Sequence, residues 1–359
     1  PILPSENGDN KGGGYFLFHH GRGIVIDPGF NFIENFYQEG FKVADIDAVL
    51  ISHAHSDHTV DLESILTLVH KHNDAIKNSI EEEMKGNTEG ERKEEITKKL
   101  KEKCKKIDLL MNVGTFMKYS GWLNLKDSQE IKSVTVLMPN TTYKYYDIKM
   151  YTTKAKHHEI LDEQYAIGFI LEIDEKIRVG FTGDTGWDWD RNEIMSEPFK
   201  DLKPQLVVAH LGSIKRTEFD YEKNTSDDER NKCFYRYHLG LLGITRFLEK
   251  TRPKLAVVSE FGEELRGKRK LIVESISKVL NLNCLPGDIG LHIKLNDLSV
   301  HCFIENDFID YNLIKIGSDG TTLNFHRDEP DDGVLNEALK QRSTPTPLAK
   351  RTKSYIYPS

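Results

Sequence analysis

Cysteine is scarce in this 359-residue sequence: Cys104, Cys233, Cys284 and Cys302 lie far apart, with no C-x-x-C pair. That argues against a disulfide framework and against a thiolate zinc site, and it makes a reducing, cytoplasmic compartment the expectation. No apolar run reaches about 18 residues, which excludes a membrane-spanning helix. Positive charge is not in excess either: 49 Lys and Arg face 57 Asp and Glu, for a net charge of −8. A chain of that balance does not coat nucleic acid by charge alone. A nuclease is still allowed, because carboxylates that bind a cation are counted while the cation is not. The first residues, PILPSENGDNKGGGYFLF, lack the basic-then-apolar order of a signal peptide and lack an initiator Met. The expectation is a trimmed sequence or one domain of a longer multidomain chain. No internal repeat recurs at a fixed period.

An apolar content of 38% supports a real core, and 30% charged residues suits a water-facing surface. Short apolar runs at 15–18 and 23–26 flank a Gly-rich turn, and 47–52 reads as a buried strand. Leu62, Ile65, Leu66 and Val69 recur at helical spacing, with Thr59 or Asp61 as N-cap. Residues 74–107 are dense in mixed charge, and Ile96, Leu100, Cys104 and Ile107 trace one narrow stripe. They predict an exposed helical insertion broken near Gly86–Gly90. Strands return in SVTVLMP, YDIKMYTTKAKHH, YAIGFILEI and IRVGFTGDTG, then in PQLVVAH and KLAVVSEFG. Helices are predicted near 239–250 and 268–281, and strands over 291–304 and 313–325 are expected to complete a sheet. Mixed strands and helices favour a layered α/β or α+β fold. Residues 1–327 form the expected catalytic domain, and the polar 328–359 a flexible tail.

The chemistry concentrates in ISHAHSDHTVDLESI, where His53, His55, Asp57 and His58 fall within six positions at the end of an apolar strand. Imidazoles and carboxylates crowd together at a cost unless a cation sits among them. Six residues do not easily encircle two metals, so further ligands must come from other strand ends. His157 and His158 follow one strand, Asp184 lies in GFTGDTG, His210 ends VVAH, and Glu260 ends VVSE. Imidazole and carboxylate donors without thiolate suit Zn²⁺, Mn²⁺ or Fe, with Zn²⁺ the default. His19, His20, His70, His72, His292 and His301 carry no motif and are read as structural.

SHAHSDH, with DPG upstream at 27–29, a later strand-end His and then TGDT, resembles the metallo-β-lactamase superfamily over most of residues 14–304. The resemblance implies a four-layer αββα sandwich with a dinuclear metal site at one sheet edge. It implies His53, His55 and His157 on one metal, Asp57 and His58 on the second, and Asp184 bridging both. His157 is preferred to His158 for its offset after the MYTTKAK strand. The best local match is ribonuclease Z-like. His238, 22 residues before position 260, then corresponds to the proton donor at the scissile phosphate.

Two departures stand out. Where that family places its last metal-binding His, this chain has Glu260, and a carboxylate there favours Mn²⁺ or Mg²⁺. The 76 residues from Asp184 to Glu260 are too few for the inserted domain of β-CASP nucleases. No Gly/Pro-rich arm for clamping tRNA is visible, which argues against tRNA maturation.

Two cations about 3.5–4 Å apart would generate a hydroxide at neutral pH. Asp57 would orient it, and His238 would protonate the leaving alkoxide. The expected function is a metal-dependent phosphodiesterase, a nuclease on RNA or single-stranded DNA. A hydrolase of small esters, lactones or thioesters is the alternative on the same scaffold, and a binding module degraded at Glu260 is another. Residues 213–238 interleave Lys215, Arg216, Arg230, Lys232 and Arg236 with Tyr221, Phe234, Tyr235 and Tyr237. Rings beside cations hold single strands without reading sequence. Trp187 and Trp189 wall the pocket or pack in the core. The basic run 98–106 is a solvated helix face or a rim. Expected partners are a nucleic-acid substrate and no membrane; a homodimer is left open.

Overall fold

The computed structural model describes residues 13–84, 89–123, 130–159, 165–187, 196–262, 265, 268–304 and 307–311. The N-terminal twelve residues, the strand expected over 313–325, the expected tail, most of the expected break at 86–90, and Trp189 lie outside them.

Five strands, Tyr15–His19 (β1), Arg22–Ile26 (β2), Ala48–Ile51 (β3), Ile107–Asn112 (β4) and Ile131–Leu137 (β5), form one sheet in that order. β1 runs antiparallel to β2, and the rest pair parallel. The second sheet holds Thr142–Tyr145 (β6), Ile148–Lys154 (β7), Ile167–Ile173 (β8), Ile177–Phe181 (β9), Leu206–Gly212 (β10), Leu255–Phe261 (β11) and Cys284–Pro286 (β12), in the order β12-β11-β10-β9-β8-β7-β6.

Side chains alternate along these strands, and the alternation sorts them into layers. Ile24, Ile26, Ala48, Leu50, Leu206, Val208, Leu255 and Val257 fill the core between the sheets. Val25, Val49 and Ile51 face outward and pack with Leu62, Ile65 and Val69 of a helix, Asp61–Glu83. Val207, Ala209, Ala256 and Val258 face outward on the other side, against Ile244 and Phe247 of Gly240–Thr251 and Val273 of Arg269–Leu280. The result is the αββα sandwich that the resemblance implied.

Four local expectations are corrected. Ile107 heads the buried β4 rather than ending a helical stripe, because the apolar run IDLLMN pairs with both neighbouring strands. The helix after the His cluster is capped by Val60, and Asp61 instead accepts the Ile33 amide at 3.0 Å. That helix continues through Glu83, into the charged segment expected to begin at 74, and Gly90 lies inside the next helix, Glu89–Lys103. The strands near 291–304 make a separate three-stranded sheet, Leu291–Lys294 (β13), Ser299–Ile304 (β14) and Asp307–Tyr311 (β15). No helix among the described residues is long and apolar enough to cross a membrane.

The topology puts the C-terminal ends of β2, β3, β7, β9, β10 and β11 at one end of the sandwich. The Ile167 amide donates to the Ser52 carbonyl at 3.2 Å and ties the two sheets together there.

Candidate metal centre

His53 follows β3, His157 follows β7, Asp184 follows β9, His210 lies in β10 and Glu260 in β11, so rigid strand ends deliver each group to one place. His53, His55 and His157 bring ligand atoms within 4.8 Å of one another. So do His53, His58 and Asp184, then His58, His210 and Glu260, and then His157, Asp184 and His238. Every one of these residues except His55 and His238 is buried. His158, by contrast, is exposed and lies against Tyr237. Asp57 is half-buried and belongs to none of these four groups; its charge acts on His55 and Lys118.

Asp184 is the hub. Its Oδ1 accepts from His210 Nδ1 at 2.9 Å. Its Oδ2 faces four further imidazole nitrogens, on His58 at 3.6 Å, His238 at 3.8 Å, and His53 and His157 at 3.9 Å. All four distances are too long for hydrogen bonds. His53 Nε2, His58 Nε2 and His238 Nδ1 are buried with no hydrogen-bond partner. Burying such atoms is costly unless something else satisfies them.

The outer contacts decide which nitrogen faces inward. The Ser52 amide and hydroxyl both donate to Asp27, each at 2.7 Å. His53 Nδ1, 3.1 Å from that hydroxyl, must then donate to it, which leaves an Nε2 lone pair pointing into the cluster. His157 Nδ1 donates to the Tyr237 carbonyl at 2.8 Å, which leaves its Nε2 an acceptor, 3.0 Å from His55 Nδ1 at the edge of the cluster. His58 Nδ1 stands 3.3 Å from Asp27 Oδ2, which favours a proton on that side. Lone pairs gathered around a carboxylate, each ring set by an outer acceptor, are the arrangement of a divalent cation site. The donor set therefore fits metal. His210 differs: it donates to Asp184, and its Nε2 lies 3.1 Å from the Tyr15 hydroxyl.

The titration behaviour has the same causes. Burial drives His53 well below the ordinary histidine range and lowers His55 and His157. Burial also opposes charge on His58, yet Asp184 and Asp27 outweigh it and raise this group. Asp184 is held well below the carboxylate range; burial opposes its ionisation, but the charge on His58 and the bond from His210 prevail. The sign for metal-free protein follows. Below about pH 6.5 the unfolded chain protonates three histidines that the folded chain keeps neutral, so stability falls as pH drops through that value. His58 contributes the opposite trend above it. Denaturant unfolding of metal-free protein at pH 7 and pH 5 checks this, with lower stability expected at pH 5.

Two acidic residues here adopt left-handed backbone, Asp27 at φ 49° and Glu260 at φ 56°. Such strain costs about 1–3 kcal/mol per residue and persists where the surroundings require it. The loop carrying His55 is pinned by Glu159, which accepts from the Ala54 amide at 3.0 Å and from Asn112 at 2.6 Å. Lys118 holds it from the other side through the Ala54 carbonyl and the Thr59 hydroxyl, both at 2.9 Å. Sequence patterns flag Asp27 through DPG, but Ser52, Tyr15 and Glu159 carry no motif, and the Tyr237 carbonyl leaves no side-chain signal. Asp27→Ala frees His58 and Ser52, and metal affinity is expected to fall roughly 10–100-fold, as for other outer partners. Competition with a chromophoric chelator measures it.

His238 sits at the edge of the cluster with its side chain 28% exposed. Its segment is positioned by buried Glu218, which accepts from the Lys215 and Leu242 amides at 2.6 Å. Gly212 (φ +73°) lies under the imidazole, where an added Cβ would stand 2.5 Å from Cγ. Of the rings expected to stack on bases, Tyr221 and Phe234 are instead buried in the helix-side core, because the segment 216–233 folds back on itself as two short helices. Trp187 packs on Phe234, with ring centroids 6.1 Å apart. Tyr235 and Tyr237 stay half-buried beside His238 and His157, with the Lys215 ammonium 4.2 Å above the Tyr235 ring. In the basic run, Lys99 pairs with Glu83 and Glu95, and Lys105 with Asp47, which fits a solvated helix face.

Among solved structures, the metallo-β-lactamase fold protein YhfI from Bacillus subtilis superposes with a TM-score of 0.54 at 12% identity, covering 80% of this chain and 92% of that one. Human tRNase Z, short form, gives 0.51 at 11% identity, covering 81% and 95%. Unliganded yeast PDE1 gives 0.51 at 11%, covering 80% and 96%. At these identities the likeness establishes the fold. No curated protein matches the chain by sequence. A family profile described as the anti-Pycsar protein Apyc1 matches residues 13–202, more than half of the chain, from β1 through Asp184. The chain therefore belongs to the anti-Pycsar Apyc1 family, built on the metallo-β-lactamase fold.

Proposed function

We propose that this chain is a metal-dependent phosphodiesterase acting on a nucleotide substrate, a short stretch of single-stranded RNA or DNA. The observation that carries the reading is His238, held half-buried at the rim of the cluster with Nδ1 3.8 Å from Asp184. A lactam or thioester hydrolase has less need of an acid at that position, whereas an alkoxide leaving from phosphorus must be protonated.

The proposed holders are His53, His55 and His157 for Zn²⁺, with His58, Asp184 and Glu260, and Asp57 after a local shift, for a second ion that Mn²⁺ or Mg²⁺ also suits. Bound cations would supply Lewis acidity and a water pKa lowered from 15.7 toward about 7. The chain's own groups do the rest. Asp27, Ser52 and the Tyr237 carbonyl fix the histidine tautomers. His210 steadies Asp184. His238 carries the proton for the leaving oxygen, and Glu218 and Gly212 set its ring. Lys215 places positive charge beside the expected phosphate position.

The two rings left beside the cluster, Tyr235 and Tyr237, suffice for one or two bases. That favours a short or single-nucleotide phosphodiester over a long strand, and it supports a second reading in which the substrate is a small nucleotide. The test compares labelled RNA and DNA oligomers, dinucleotides, and a panel of lactones and thioesters under Zn²⁺, Mn²⁺ and Mg²⁺. Cleavage confined to the nucleotide substrates is expected. Turnover confined to the lactones or thioesters would overturn the proposal.

A further inference from the structure

A second gathering of donors lies at the opposite end of the sandwich. β2, β7 and β9, which deliver Asp27, His157 and Asp184 at one end, are each entered at the other by a tight turn. The β1–β2 turn carries His19 and His20, the β6–β7 turn carries Asp147, and the β8–β9 turn carries Asp174. β7 and β8 are each seven residues long, so about 20 Å of sheet separates this end from the cleft. His19, His20, Asp147 and Asp174 bring one ligand atom each within 4.8 Å of all the others.

The convergence is mutual. His19 Nε2 is 3.2 Å from Asp174 and 3.6 Å from Asp147. His20 Nδ1 is 3.0 Å from Asp147, and its Nε2 is 3.8 Å from Asp174. Both carboxylates are thus shared by both imidazoles. Adjacent residues of a strand point to opposite faces, but His20 adopts φ 46°, and this turns its ring onto the same side as His19. The two rings stack with centroids 3.8 Å apart and an interplanar angle of 28°. Asp174 reaches the group from a left-handed conformation too, at φ 51°. Two imidazolium ions stacked face to face would repel each other. Two neutral imidazoles turned toward a shared cation would not.

We infer that His19, His20, Asp147 and Asp174 form an additional divalent-cation site, a two-nitrogen, two-oxygen set of the kind that binds Zn²⁺. The site clamps the first sheet, through the β1–β2 turn, to the second sheet, through two of its turns. Its role is structural. It takes no part in hydrolysis, and it stands or falls independently of the function proposed for the cleft. Arg22 also approaches Asp147, at 3.5 Å, with its guanidinium 3.9 Å over the Tyr146 ring, and it bounds the site on one side.

The test uses Zn²⁺ itself. The full chain and a His19→Ala/His20→Ala variant are dialysed to equilibrium against Zn²⁺, and bound metal is counted by elemental analysis. The variant is expected to hold one ion fewer per chain and to keep its hydrolytic rate. Its thermal midpoint should rise less on adding Zn²⁺, because only a site present in the folded state stabilises by mass action. Asp174→Asn, a change at a largely exposed position, provides the second variant and should also lose one ion. Equal metal counts in all three proteins would overturn the inference and leave a set of surface ion pairs.

Discussion

Asp184→Asn should abolish metal loading at the cleft and lower turnover by about 10³-fold or more, beyond the roughly 10–100-fold cost of losing an outer partner. The reason is geometric. Five imidazoles look at this one carboxylate, one by hydrogen bond and four across gaps of 3.6–3.9 Å. Asparagine keeps the shape and can still accept from His210. It removes the anionic oxygen, puts an amide donor opposite the His53 Nε2 lone pair, and takes away the counter-charge that favours protonated His58. Metal-free protein should unfold at a lower denaturant midpoint than wild type, because the charge on His58 loses its partner, whereas added Zn²⁺ should stabilise only the wild type. Elemental analysis and denaturant titration of the same samples separate these effects. A variant that kept its full metal complement would contradict the central place given to Asp184.

His238→Ala should behave differently. Metal content should remain at the wild-type level, while cleavage of a phosphodiester with an alkoxide leaving group falls about 10²–10⁴-fold, the range of a lost general acid. The deficit should shrink sharply for a p-nitrophenyl ester, whose leaving group needs no proton. That pattern distinguishes an acid from a residue that merely shapes the cleft, because a shape defect would slow both substrates alike. Equal losses on the two esters would remove His238 from the chemistry and leave the nucleotide reading without its main support.

Much of this was legible in the sequence because the relevant signals are local. The alternation in RGIVI, AVLI and LVVAH, with side chains buried on both faces, specifies strands sandwiched between helices. The spacing His53–His55–His58 at the end of β3 marks a cluster whatever the remainder of the chain does. What the sequence hides depends on distant pairing. β4 follows directly on a charged helix, and its apolar run continues the helical stripe, so only its pairing with β3 and β5 distinguishes it. Tyr221 and Phe234 look like a stacking platform beside basic residues, yet the turn of the chain between them carries both inward. The partners that set histidine tautomers, Ser52 and the Tyr237 carbonyl, are a common side chain and a backbone atom, and neither stands out in a sequence. His210 is only one of several strand-end histidines until Tyr15, 195 residues away, is placed against it.

Anomalous diffraction at the zinc edge, from crystals grown with Zn²⁺, tests the central claim most directly. The expected result is two peaks in the cleft about 3.5–4 Å apart, one beside His53, His55 and His157 and the other beside His58 and Glu260, with Asp184 between them. A cleft without anomalous density under saturating Zn²⁺ would contradict it.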